Sequence, residues 1–154
     1  MANTYTQIFI QIVFAVKFRA RLVSPVWKNG LERYITGIVQ NKGHKMIRLS
    51  CMPDHSHIFI GMKPHEALSD LVRDVKRDST AFINSQNWVR GRFAWQEGFG
   101  GFSYSPRDVD RVVKYIMNQE EHHRRVTFKE EYEVFLREFG VEYDPRYTLK
   151  EPSE

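Results

Sequence analysis

One cysteine, Cys51, is too few for an internal disulfide, and a lone thiol suits a reducing compartment. No stretch approaches the roughly 18 uninterrupted apolar residues of a membrane-spanning helix. The apolar run Ile8–Val16 is interrupted by Gln11 and carries no cleavage-site pattern, so it reads as a strand and not as a secretory leader. Internal repeats, low-complexity tracts and Pro/Ser-rich linkers are also missing, and only residues 150–154 read as a frayed tail. Charge of one sign is not in excess either. The 23 Lys and Arg against 19 Asp and Glu give +4, which permits a nucleic-acid partner without demanding one. What is present is a 154-residue chain, 42% hydrophobic and 14% aromatic. That is enough for one compact domain over 1–154, with a core at about 5–125, a last helix at about 127–140 and a tail to 154.

Hydrophobic periodicity orders the chain. Over 5–16, Ile8, Ile10, Ile12, Phe14 and Val16 alternate as a strand does. Ser24-Pro25 marks a helix start, Trp27, Leu31, Tyr34/Ile35 and Ile38 follow at helical spacing, and Gly43 supplies the stop. Residues 44–52 alternate again, with Ile47, Leu49 and Cys51 expected on one face and Met46, Arg48 and Ser50 on the other. A strand at 54–62, a helix at about 65–86 and a glycine-broken strand at 93–104 come next. Ser105-Pro106 then opens a helix expected to run to about His122, and Thr127 with Glu130 forms a capping box for a last helix ending at Gly140. The order β-α-β-β-α-β plus C-terminal helices predicts an α+β, ferredoxin-like (RRM-like) sheet with helices on one face and the other face open. Such a fold does not by itself decide function.

Two motifs carry chemistry. In Asp54-His55-Ser56-His57, residues i and i+2 of a strand point to one side, so His55 and His57 stand together, with Ile58, Ile60 and Met62 opposite. Two adjacent neutral imidazoles suit one divalent cation, although an isolated His-x-His is as readily a pair of half-exposed histidines. In Lys114-Tyr115-Ile116-Met117-Asn118-Gln119, Tyr115 and Gln119 lie one helical turn apart, on a polar flank beside the Val109/Val113/Ile116 stripe. Tyrosine becomes a competent nucleophile toward phosphorus when a cation polarises the phosphate, and a glutamine amide oxygen adds a ligand without adding charge. Each alone is also compatible with a boundary tyrosine and a solvated glutamine.

Taken together with Trp95-Gln96-Glu97-Gly98-Phe99-Gly100-Gly101-Phe102-Ser103, these motifs make the chain resemble the single-tyrosine HUH transposases, the insertion-sequence and REP-associated tyrosine transposases, over about residues 5–125. The resemblance implies that His55, His57 and Gln119 bind Mg²⁺ or Mn²⁺ and that Tyr115 is the nucleophile. It further implies a metal-dependent transposase that cuts and rejoins single-stranded DNA through a 5′-phosphotyrosine. The expected partners are hairpin-bearing element ends and a second copy in a homodimer, in a cytoplasmic, nucleoid-associated setting. Ser56 departs from the family, where a bulky hydrophobic residue is usual; a small packing loss with intact chemistry is the expected consequence. A non-catalytic single-strand DNA/RNA-binding module on the same fold and a domesticated HUH endonuclease are the alternatives.

Further residues have two readings each. Arg73, Lys76 and Arg77 form either a solvated helix face or a DNA-backbone groove. Arg90 and Arg92, beside Trp88, Phe93 and Trp95, form either a single-strand platform or a loop packed on the core. Arg48 is placed as a phosphate contact flanking the histidines. His122 and His123 read as a pair favoured by a helix C-terminus, with one of them joining the metal shell as the alternative, and His44 and His65 read as surface positions.

Overall fold

The computed structural model describes residues 3–144, so the expected tail at 150–154 lies outside the described residues. In chain order the elements are β1 (Phe9–Ala15), α1 (Lys28–Asn41), β2 (Lys45–Cys51), β3 (His55–Gly61), α2 (Leu68–Ser85), β4 (Gly100–Tyr104), α3 (Val109–Met117), α4 (Gln119–His122) and α5 (Phe128–Glu138). The four strands form one antiparallel sheet in the order β2-β3-β1-β4, the expected ferredoxin-like arrangement. Among the described residues no helix is long and apolar enough to cross a membrane.

The period-two pattern of β1 divides the molecule. Ile12, Phe14 and Val16 join Ile58 and Ile60 of β3 in a core covered by Leu31, Ile35 and Val39 of α1 and by Leu71, Val72 and Val75 of α2. Each such fully buried aliphatic side chain contributes about 1.5–3 kcal/mol. Gly43 closes α1 at φ +91°, a conformation that glycine adopts without strain. Regular helix begins at Lys28, three residues later than Pro25, because Ser24 Oγ caps a turn by accepting from the Val26 amide at 3.1 Å.

The other sheet face is not open. Phe59 packs under Val112 and Ile116 of α3, while Val13, Ala15 and Phe102 pack under Phe128, Tyr132, Phe135 and Leu136 of α5. The amphipathic stripes that suggested C-terminal helices needed an apolar partner, and this face supplies it. Gly100 permits the close approach of α5: a Cβ there would lie 2.8 Å from a ring carbon of Tyr132. The helix expected from 105 to 122 is divided at Asn118, whose φ −97° and ψ 17° are not helical, so Tyr115 lies in the last turn of α3 and Gln119 begins α4.

Two strand expectations also shift. A bulge in β2 sets both Ile47 and Arg48 against Phe59, which turns Met46 toward the α1/α2 core and Ile47 toward α3. Met46 therefore does not flank the histidines. Of the 93–104 segment only 100–104 is strand; Trp95 makes a single bridge to Val16, and Gly98 at φ +85° turns the chain between them.

Candidate metal centre and nucleophile

Strand geometry puts His55 and His57 side by side on β3, beneath α5, and both are fully buried. Their outer nitrogens are committed. Nδ1 of His55 donates to Asp54 Oδ1 at 2.7 Å, and Nδ1 of His57 donates to Gln11 Oε1 at 2.8 Å. Gln11 is held in that orientation because its amide nitrogen donates to Tyr104 Oη at 2.9 Å. His123, from the turn after α4, likewise spends Nδ1 on the Val126 carbonyl at 2.8 Å. All three imidazoles thus keep a proton on Nδ1 and direct Nε2 inward, which is how metal-ligating histidines are usually oriented.

The three Nε2 atoms converge on a carboxylate. Glu131 Oε1 lies 3.0 Å from His57 Nε2, 3.1 Å from His123 Nε2 and 3.6 Å from His55 Nε2. These ligand atoms all fall within 4.8 Å of one another. Gln119, fully buried, points its amide oxygen at His55 Nε2 at 3.2 Å and donates its amide nitrogen to Glu131 Oε2 at 3.0 Å. Without a shared proton or cation, inward lone pairs and a carboxylate repel one another, so the donor set fits a divalent ion. Phe128, the first residue of α5, stacks on His55 at 4.0 Å, and Thr127 caps that helix by accepting the Glu130 amide at 3.2 Å.

Tyr115 stands on the far side of Glu131. Its hydroxyl donates to Glu131 Oε2, lies 3.4 Å from His122 Nε2, and its ring meets the His57 ring edge-on at 5.9 Å. It lines a cleft of about 500 Å³ together with Gln11, Arg111 and Glu131. Burial, and then the Glu131 charge, push the Tyr115 hydroxyl well above the ordinary tyrosine value. Burial pushes His55 down to about 4, so its imidazole is neutral at pH 7. For Glu131 burial acts upward, but the attraction of His57, His123 and His55 outweighs it and holds the carboxyl far below the usual range. His123 is raised, its contacts with Glu131 outweighing burial.

The arrangement brings together His55, His57, Gln119 and Tyr115, all anticipated as site residues. Sequence reasoning missed Glu131 and Gln11; His122 and His123 both meet Glu131, and His123 is the one of the pair that joins the cluster. Glu131 did leave a signal: with Phe128, Tyr132 and Phe135 it occupies i, i+3, i+4 and i+7 of a buried face, where a lone carboxylate calls for partners. Ser56 is buried with no hydrogen-bond partner for its hydroxyl, which lies beside the Cys51 thiol.

The cations anticipated for DNA are dispersed. Arg48 is exposed on edge strand β2, and Arg90 and Arg92 are exposed in the α2–β4 connection. The platform reading of that connection fails, because Phe93 and Trp95 are core residues and Trp88 stacks on Trp27 at 4.9 Å. Arg73 and Arg77 pair with Asp70, Asp74 and Asp78 on α2, which packs on the opposite side of the sheet from the histidines. Lys76 is turned onto the carbonyls of Gln96, at 2.7 Å, and Gly98, and burial lowers it to about 8.

Comparison with known proteins agrees with this geometry. The sequence model of the IS200-like transposases matches residues 4–119. The ISDra2 transposase TnpA of Deinococcus radiodurans is 24% identical over 118 residues, which span 73% of this chain and 84% of that protein. A crystal structure assigned as a transposase from the same organism superposes with a TM-score of 0.62 at 22% identity, covering 76% of this chain and 94% of that one. A REP-associated tyrosine transposase bound to a REP hairpin superposes with a TM-score of 0.60 at 15% identity, covering 99% and 92%. The two structures show the shared fold, and the family match, spanning most of the chain, places this protein among the IS200-like, single-tyrosine transposases.

Proposed function

We propose that the protein is a metal-dependent HUH strand transferase that cleaves and rejoins single-stranded DNA, with Tyr115 as nucleophile and His55, His57 and Gln119 as metal ligands. The observation that carries this reading is the convergence of three Nε2 lone pairs and Glu131 next to the Tyr115 hydroxyl. Glu131 and His123 belong to the same donor set. Three imidazoles and a carboxylate suit Mn²⁺ better than Mg²⁺, since nitrogen donors favour the later divalent ion. A divalent cation held there supplies the positive charge that polarises a scissile phosphate and offsets the Glu131 carboxylate.

In the reaction, Tyr115 Oη attacks phosphorus, the P–O3′ bond breaks, and a 5′-phosphotyrosyl bond forms. Glu131 Oε2 accepts the hydrogen bond of the Tyr115 hydroxyl and so orients its oxygen, the hydroxyl proton is released to solvent as the oxygen attacks, and the departing 3′-oxygen takes a proton from solvent. A different 3′-hydroxyl then displaces the tyrosine without an external energy source, because the phosphodiester is conserved in the linkage. Hairpin-bearing DNA ends and a homodimer are carried over from the family. A site completed within one chain predicts no rescue when Tyr115→Phe and His55→Ala protein are mixed, and a site completed across the homodimer predicts restored activity.

The non-catalytic binding module is disfavoured by the covered sheet: α3 and α5 occupy the face on which bases would stack. The test incubates the protein with labelled single strands from both flanks of its own gene, with Mn²⁺ or with chelator, and reads denaturing gels. A metal-dependent covalent band, absent in Tyr115→Phe, is expected. Binding without any adduct would favour the non-catalytic module.

A further inference from the structure

A second cleft, of about 790 Å³, opens on the opposite side of the α4–α5 connection from Tyr115. Its walls carry five cations, Arg19 and Arg21 from the β1–α1 connection, Lys28 from α1, and Arg124 and Arg125 after α4, against the carboxylates of Asp54 and Glu120. Those two carboxylates are engaged, Asp54 by His55 Nδ1 and Glu120 by Lys28 at 3.5 Å. The cleft ends on His123 and Phe128, the first a member of the histidine–Glu131 cluster and the second stacked on His55. It is therefore a basic cleft that adjoins the candidate metal centre through His123.

The wall bearing Arg19 and Arg21 is held in an unusual conformation. Phe18 and Arg19 adopt left-handed φ values of +59° and +54°, unfavourable for residues with a Cβ. The segment is tied to the β2–β3 turn by backbone hydrogen bonds from Val16 to Asp54 at 2.8 Å and from Val23 to Pro53 at 3.1 Å. Strain of this kind persists where surrounding structure over-determines it, and it concentrates at functional sites. Within the cleft Arg124 is paired with Glu121 at 2.9 Å and Lys28 with Glu120, while Arg73 and Arg77 of α2 are paired with Asp70, Asp74 and Asp78 and lie across the sheet from the histidines.

Building on the proposed function, we infer that this cleft, and not the outer face of α2, holds the phosphodiester backbone of the single strand on one flank of the scissile phosphate. Arg21 and Arg125, both exposed on opposing walls, contact successive phosphates and deliver the strand to His123. The contacts are charge-based and independent of base identity.

The experiment measures binding of fluorescein-labelled oligothymidylate by anisotropy over a range of salt concentrations, with chelator present so that no metal contributes. Arg21→Ala/Arg125→Ala is expected to weaken binding about tenfold at low salt and to flatten the log–log salt slope by about 1.4, the value for two phosphate contacts on a single strand. Arg73→Ala/Arg77→Ala should leave the slope as in wild type, and Arg21→Lys/Arg125→Lys should restore it. A wild-type slope in the alanine pair overturns the inference, as does a lysine pair no better than the alanine pair. If the α2 pair alone flattens the slope, the backbone runs across α2 and the cleft is excluded. Wild type that binds no oligothymidylate removes the single-strand reading and the cleft with it. Binding with these slopes but no Mn²⁺-dependent adduct removes only the catalytic reading.

Discussion

Two histidine clusters of nearly the same composition sit in this molecule, His55/His57/His123 around Glu131 and His44/His65 around Glu66, and they are wired in opposite senses. In the second, His44 Nδ1 accepts the Lys63 amide at 3.0 Å, so its proton lies on Nε2 and is donated to Glu66 at 2.9 Å. His65 donates Nε2 to the Lys42 carbonyl at 2.8 Å, and the two rings stack nearly parallel, 5.0 Å apart. Lys42 then bridges Glu66 at 2.7 Å and Asp74 at 2.6 Å. Arg73 and Arg77 also pair with Asp74, and the His44 nitrogen that faces Glu66 carries a proton, so His44 directs no lone pair at that carboxylate. Around Glu131 the protons point outward and the lone pairs inward, and the ion-pair partners of that carboxylate are imidazoles. Residue type does not distinguish a metal centre from a structural network; the direction of the imidazole protons does.

That contrast can be broken by substitution. The largest effect is expected from His57→Ala. Mn²⁺ at about 100 times its Kd should stabilise wild type by about 2.7 kcal/mol in thermal melts, and the variant should lose this response. His44→Ala should keep the Mn²⁺ response in full. Its cost is a metal-independent loss of about 1–3 kcal/mol, because Glu66 is left short of a donor in a nearly buried setting. Equal loss of the metal response in both variants would erase the distinction.

Smaller effects sharpen it. Thr127→Ala removes the α5 cap and should cost about 1 kcal/mol, loosening the helix that carries Phe128 and Glu131. The two clusters should also separate on acidification. Lys42 holds Asp74 down to about 2 and, outweighing burial, keeps Glu66 below its ordinary value. Carboxylates depressed in the folded state stabilise above their unfolded pKa and lose that contribution as pH falls through the folded value. The Glu66–Asp74 network is therefore expected to hold down to about pH 4 and to weaken toward pH 2. The Mn²⁺ response should fade earlier, beginning as His123, raised above its ordinary value, takes up a proton, since bound metal competes with protons for Nε2. Melting curves against pH, with and without Mn²⁺, read both transitions.

Much of this was legible before the structure. Alternation in β1 and β3 located the two faces, and the spacing of His55, His57, Tyr115 and Gln119 named four residues that do assemble. The covering of the histidine face was not read, although Phe128, Tyr132 and Phe135 formed a stripe that demanded an apolar partner. Glu131 escaped because only the apolar members of that stripe were read. The bulge at Ile47–Arg48 and the break at Asn118 depend on tertiary packing that no local period encodes. Candidate DNA-contacting cations were sought on α2, where helical periodicity is clear, and at Arg48, Arg90 and Arg92. The cleft inferred above gathers Arg19, Arg21, Lys28, Arg124 and Arg125 mainly from irregular connections, where spacing carries no signal.

The central claim is that Tyr115, beside a cation held by the Glu131 cluster, becomes covalently linked to DNA. Peptide mass spectrometry after incubation with flanking single strands, nuclease trimming and trypsin tests it most directly, because the peptide Tyr115–Arg124 contains no other tyrosine. A nucleotide mass on that peptide, present with Mn²⁺ and absent with chelator, is the predicted result. A nucleotide mass on another tyrosine, or one that forms equally well in chelator, would contradict the account.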